Sequence, residues 1–102
     1  MIELRVTITR FVDEEPFPGL VETQFRDAQG QVHMIVDKWP MFSESMLWSD
    51  SEYPKPSVAG CTVLERMQGA DGRALARIAL AWGLETADGQ SEFVVDEAEL
   101  SG

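Results

Sequence analysis

A chain of 102 residues with 18 acidic against 8 basic side chains and a formal charge of -10 repels a polyanion, which argues against nucleic acid as a partner. Its length suits one domain spanning residues 1–102, and 44% hydrophobic residues are too many for a disordered chain. No stretch approaches the roughly 20 apolar residues that cross a bilayer, Met1-Ile2-Glu3-Leu4-Arg5 lacks the basic start of a signal peptide, and Cys61 is the sole cysteine, so a cytoplasmic setting away from membranes is expected.

Ile2, Leu4, Val6 and Ile8 alternate with Glu3, Arg5, Thr7 and Thr9, the period of a strand buried on one side. Asp13-Glu14-Glu15-Pro16-Phe17-Pro18-Gly19 ends it, because two prolines and a glycine do not sit inside a ladder. A second strand from Leu20 to Arg26 turns at Asp27-Ala28-Gln29-Gly30 and returns from Gln31 to Asp37, with Asp first and Gly last as a hairpin turn prefers. Val21, Thr23 and Phe25 share one face with Val32, Met34 and Val36 as the matching set, which turns His33 toward solvent.

Residues 38–57 hold Trp39, Phe42, Trp48 and Tyr53 beside Pro40, Pro54 and Pro56. Ser43 suits the cap of one or two helical turns through Trp48, with Phe42, Met46 and Leu47 inward; Ser-Glu-Ser-Met-Leu-Trp also alternates as a strand would. These aromatics either plug a barrel end or form a binding surface. Tyr53, between Glu52 and Pro54, is the one expected to be most exposed.

Val58 to Met67, the turn Gln68-Gly69-Ala70-Asp71-Gly72 and the segment from Arg73 form a second hairpin. Ala87-Asp88-Gly89 links Leu80–Glu85 to Ser91–Val95, Gly83 marks a bend, and Asp96–Leu100 adds a short helical turn. Strand, hairpin, short helix or loop, hairpin and an extra C-terminal strand is an OB-like order, so the expected fold is a mainly-β, closed or partly open antiparallel barrel. An SH3-like barrel is the alternative.

Val21-Glu22 through Phe25, the turn Asp27-Ala28-Gln29-Gly30, Val36-Asp37-Lys38-Trp39-Pro40, Trp82-Gly83-Leu84-Glu85, Asp88-Gly89 and Phe93-Val94-Val95 together resemble segments of small bacterial mainly-β proteins of no assigned function. The resemblance implies a bacterial origin and a compact β-fold, and it transfers no functional residue.

Catalytic chemistry has little to work with. His33 lacks a neighbouring nucleophile, and Cys61 reads as a small buried apolar group. One histidine and one cysteine cannot make a zinc site. The acids of Asp13–Glu15 and Asp96–Glu99 form no calcium loop, and no glycine-rich phosphate cradle occurs. No enzyme, metal or cofactor is expected.

Residues 78–102 contain no Lys or Arg but do contain Glu85, Asp88, Glu92, Asp96, Glu97 and Glu99. An acidic protein-interaction module for a basic partner follows, of the kind immunity proteins, antitoxins and inhibitors exemplify. Its candidate partner-binding residues are Trp39, Trp48, Tyr53, Asp96, Glu97 and Glu99. The alternative is an OB-type binder of small ligands or single-stranded nucleic acid, for which Arg66, Arg73 and Arg77 form the only basic cluster. Oligomeric state is left open.

Overall fold

Alternation at the start of the chain becomes a 12-residue strand, β1 (Ile2–Asp13), which is the centre of the molecule. A computed structural model describes residues 1–102 and adds β2 (Leu20–Arg26), β3 (Val32–Lys38), β4 (Lys55–Gln68), β5 (Ala74–Leu80), β6 (Glu92–Asp96) and β7 (Leu100–Ser101). The sheet runs β3-β2-β1-β4-β5-β6, with β7 also on β1. One edge of β1 is shared: Glu3 and Leu4 pair with β7, while Thr7 to Asp13 pair with β2. Its other edge carries β4 from Ile2 to Ile8.

Every pairing is antiparallel, and the sheet curls into an open half-barrel, the small mainly-β barrel that the order of elements predicts. Irregularities between Ile8 and Arg10, Phe11 and Asp13, and Val63 and Glu65 supply the bends. Leu4, Val6, Ile8, Val21, Ile35, Ile78 and Val95 fill the concave side. The ends of the sheet meet through one backbone bond, from Ala28 N–H to the Val94 carbonyl at 2.8 Å. Beneath it Phe25 meets Phe93 edge-on, ring centroids 5.0 Å apart.

Three turns repeat one design. Asp27 N–H reaches Gln31 O, Gly69 N–H reaches Arg73 O and Thr86 N–H reaches Gln90 O, at 2.8 to 2.9 Å. In each, a glycine at the fourth position takes a φ of 82 to 87°, the left-handed residue of a three-residue hairpin loop.

That loop length overturns the expected face of β3. A turn confined to Asp27–Gly30 sets Arg26 opposite Gln31, but the ladder sets Arg26 opposite Val32 and Phe25 opposite His33. A one-residue slip flips every side chain. His33 and Ile35 therefore point inward, at 9% and 0% exposure, whereas Val32, Met34 and Val36 stand outside at 44 to 46%.

The connector departs from its expected helix as well. Only Trp39–Met41 forms a 3-10 turn, and no helix or strand spans residues 43–49. Ser43 Oγ donates to Ser45 O and accepts from Ser45 N–H, a local turn that competes with helical bonding. Phe42 and Leu47 are buried as expected, while Met46 is exposed. β5 stops at Leu80 instead of continuing to Glu85, since Trp82 and Gly83 take φ of 62° and 71° in succession. The tail forms its short turn, Glu97–Glu99, capped by Asp96 accepting from Ala98 N–H. No helix is long and apolar enough to cross a membrane.

Candidate functional site

Beyond Ile8, β1 carries Phe11 into a cleft of about 460 Å³ whose other walls come from the two proline-containing loops. Phe11, Phe17, Trp39, Met46, Leu47 and Trp48 supply its apolar surface, and Glu14 and Glu15 its charge. Leu47 is sunk in the core, but Phe17 is 88% exposed and Trp48 54%. A phenylalanine this free of packing sits between Pro16 and Pro18 because the prolines stiffen the backbone that presents it.

The two loops are tied together. Trp39 donates its indole Nε1–H to Pro18 O at 3.1 Å, and its backbone N–H to Gly19 O at 3.0 Å. Gly19 closes the first loop by donating to Pro16 O and lies against Phe11; a Cβ there meets the ring at 2.4 Å. On the second loop Tyr53 is half-buried against the core and donates its hydroxyl to Trp48 O at 2.9 Å. Tyr53, expected to be the most exposed aromatic of the connector, is thus a prop for Trp48. Ser51 adds a second prop, its Oγ accepting from Trp48 N–H.

Acidic side chains outnumber basic ones at this end, and none of them is held in an ion pair. Asp13, Glu14 and Glu15 on the first loop and Glu44, Asp50 and Glu52 on the second have no ion-pair partner. Residues 13–19 and 39–54 contain no Lys or Arg; Lys38 and Lys55 flank the second loop, exposed and outside any ion pair. Glu14 and Glu15 beside the exposed aromatics, with the other four acids on the same two loops, make a negative potential over an apolar floor.

The C-terminal acids are arranged differently. Asp96 lies 3.6 Å from Arg73, Glu97 bonds Arg66, and Glu99 lies 3.9 Å from Arg5. Arg77 bridges Glu65 and Glu92. Each arginine of the expected basic cluster is thereby held by carboxylates of its own chain. The six sequence-predicted residues fall into two sets: Trp39 and Trp48 line the cleft at Phe11 with Tyr53 supporting Trp48, whereas Asp96, Glu97 and Glu99 face Arg73, Arg66 and Arg5. Arg5 and Phe11 are six steps apart along β1, about 20 Å of strand. Asp13–Glu15 and Asp96–Glu99 accordingly stay apart, and no group of three or more His, Cys, Asp or Glu side chains gathers as a metal site.

Phe11, Glu14, Glu15, Phe17 and Met46 help to line the cleft, and none of them is among the partner-binding residues expected from sequence. Pro-Phe-Pro directly after three acids was the available signal, since a phenylalanine held between prolines has no strand to pack in.

His33, inward against expectation, lies 2.8 Å from Asp27 through Nε2 and Oδ2, packed between Phe25 and Phe93. Burial pushes the Asp27 carboxyl up, but the His33 hydrogen bond and the N–H groups of Gln31 and Gln29 outweigh it and hold the group below its usual range. Its bonds go to the turn, so the pair fastens the closing hairpin. Cys61 is buried, and burial, with Glu3 adding to it, pushes its thiol up and keeps it un-ionised. No protein-family model, curated protein or solved structure matches the chain.

Proposed function

We propose that the protein is an acidic protein-interaction module whose cleft between the Asp13–Gly19 loop and the 39–54 connector receives a basic segment of a partner protein. The observation that carries this reading is the coincidence of carboxylates outside any ion pair with exposed Phe17 and Trp48 at one end of the half-barrel. Carboxylates without partners steer a cationic chain by long-range attraction, and rigid aromatics hold it after encounter. Immunity proteins, antitoxins and inhibitors of basic enzymes are binders of this physical class.

The C-terminal acids are the weaker docking surface for the same partner. Asp96, Glu97 and Glu99 each already face an arginine, so a partner's lysine displaces an existing ion pair and gains little.

Capture from a cell lysate by the immobilised chain tests the reading, with Phe17→Ala/Trp48→Ala and Glu14→Lys/Glu15→Lys as companions. A basic protein retained by the parent chain, released by salt and lost from both variants is the expected result. Retention by both variants, with loss from Glu97→Lys/Glu99→Lys, moves the interface to the C-terminus.

A further inference from the structure

The outer edge of β3 is a regular, unpaired strand, and we infer that it pairs antiparallel with β3 of a second copy of this chain, forming a two-fold dimer around Ile35. This surface is separate from the aromatic cleft, and the inference stands without the proposed function.

Hydrogen-bond parity identifies the free groups. Asp27 N–H bonds Gln31 O at one end of the β2–β3 ladder, and Trp39 N–H bonds Gly19 O at the other. Between them residue pairs alternate in register, Phe25 with His33, Thr23 with Ile35 and Val21 with Asp37. Odd-numbered residues of β3 therefore spend their backbone groups on β2, and Val32, Met34, Val36 and Lys38 direct N–H and C=O to the open edge. These same three apolar residues are the exposed ones, at 44 to 46%. One stretch of chain thus offers an unpaired backbone and an apolar outer stripe together.

Edges of this kind are ordinarily blunted by proline, a bulge or charge along the strand. β3 contains no proline, its ladder with β2 shows no register shift, and its one lysine stands at its end.

The strand is complementary to itself. Centred on Ile35, antiparallel pairing overlaps all seven residues of β3, and even-numbered residues meet even-numbered ones, so the free backbone groups of both copies face each other. Met34 then lies opposite the second copy's Val36, an apolar pair made twice, and His33 lies across from the second copy's Asp37. One Asp and one Lys make the contact locally near neutral. A basic strand from another protein finds only Asp37 here to attract it. The arrangement is isologous and closes at two copies.

Sedimentation equilibrium of the full chain, with amide exchange of the same samples, tests this. The expected result is a dimer that strengthens with added salt, because each copy carries a formal charge of -10 and screening relieves the repulsion. Amides of Met34 and Val36 gain protection as concentration rises, while those of His33 and Ile35 are protected throughout. Met34→Lys/Val36→Lys sets lysine opposite lysine and weakens association about tenfold or more, although it makes the chain less acidic. Far-ultraviolet circular dichroism of the variant checks that its fold is kept, and Met34→Pro, which removes one outward N–H, is the second variant. A chain that stays monomeric at all concentrations and salts overturns the inference and leaves the edge to an extended strand of another protein. A dimer unaffected by both variants, or without new protection at Met34 and Val36, overturns it equally.

Discussion

His33 Nε2 and Asp27 Oδ2 stand 2.8 Å apart beneath the turn that joins the two ends of the sheet. Asp27 is held on its other oxygen by Gln29 and Gln31 N–H, at 2.9 and 3.0 Å. One carboxylate thereby links a buried ring to the loop at Gln29 and to Gln31 just before β3, beside the Ala28 N–H that reaches the Val94 carbonyl.

Replacing Asp27 with alanine should cost about 1–3 kcal/mol, the usual penalty when a buried polar partner is left without its bond. The loss also has a pH signature. Asp27 and Glu22 both have carboxyls held below their usual range, Glu22 because Thr9 Oγ1–H donates to it, against opposing burial, with Arg10 adding to the effect. A depressed carboxyl contributes stability above its unfolded value near pH 4 and loses it as pH falls through the lower folded value. Urea unfolding followed from pH 6 to pH 2 should therefore show a decline that is shallower in Asp27→Ala. An identical slope in the two proteins would assign the acid limb to other groups.

Ile35 and Met34 are neighbours with opposite environments, one fully buried and the other 45% exposed. Ile35→Ala should cost about 2–5 kcal/mol and Met34→Ala under about 1 kcal/mol, measured by urea unfolding of dilute protein. The reverse order would restore the face expected from a four-residue turn.

The same pair explains what the sequence reveals and what it hides. Alternation in β1 and the Asp-Gly signals make the strands and hairpins legible, because period and turn chemistry are local. The face of β3 is not local. Val32, Met34 and Val36 are more uniformly apolar than His33, Ile35 and Asp37, and only the fifth residue of the turn, Gln31, reverses the choice. In the connector, aromatic content marks a site, but which aromatics are buried depends on contacts from the distant Asp13–Gly19 loop. Acidity at the C-terminus is plain in the sequence, whereas its neutralisation by Arg5, Arg66 and Arg73 comes from two strands and a turn elsewhere in the chain.

Gly19→Ala should damage both stability and the cleft. Gly19 has a φ of 121°, and an added Cβ falls 2.4 Å from Phe11 Cζ, so backbone strain and a clash act together. A loss of about 1–3 kcal/mol is expected, with a change in tryptophan emission as Trp39 loses its seat on Pro18. Alanine accommodated without either change would show that the loop does not depend on close approach to Phe11.

Phe17 and Trp48 at one end, and Glu97 and Glu99 at the other, divide the binding proposal into separable rates. With a captured basic partner, Trp48→Ala should mainly speed dissociation, by about tenfold or more, since exposed aromatics act after encounter. Glu14→Lys/Glu15→Lys should mainly slow association, by about three- to tenfold at low salt, and the effect should shrink as salt screens the field. Glu97→Lys/Glu99→Lys changes net charge by the same amount but removes carboxylates already facing Arg66 and Arg5. It should slow association less than the Glu14/Glu15 pair does. Surface plasmon resonance at two salt concentrations measures all three variants against the parent chain. Equal slowing by the two charge reversals would mean that overall charge, rather than the local field at the cleft, directs the partner; unchanged dissociation from Trp48→Ala would remove the aromatic anchor from the interface.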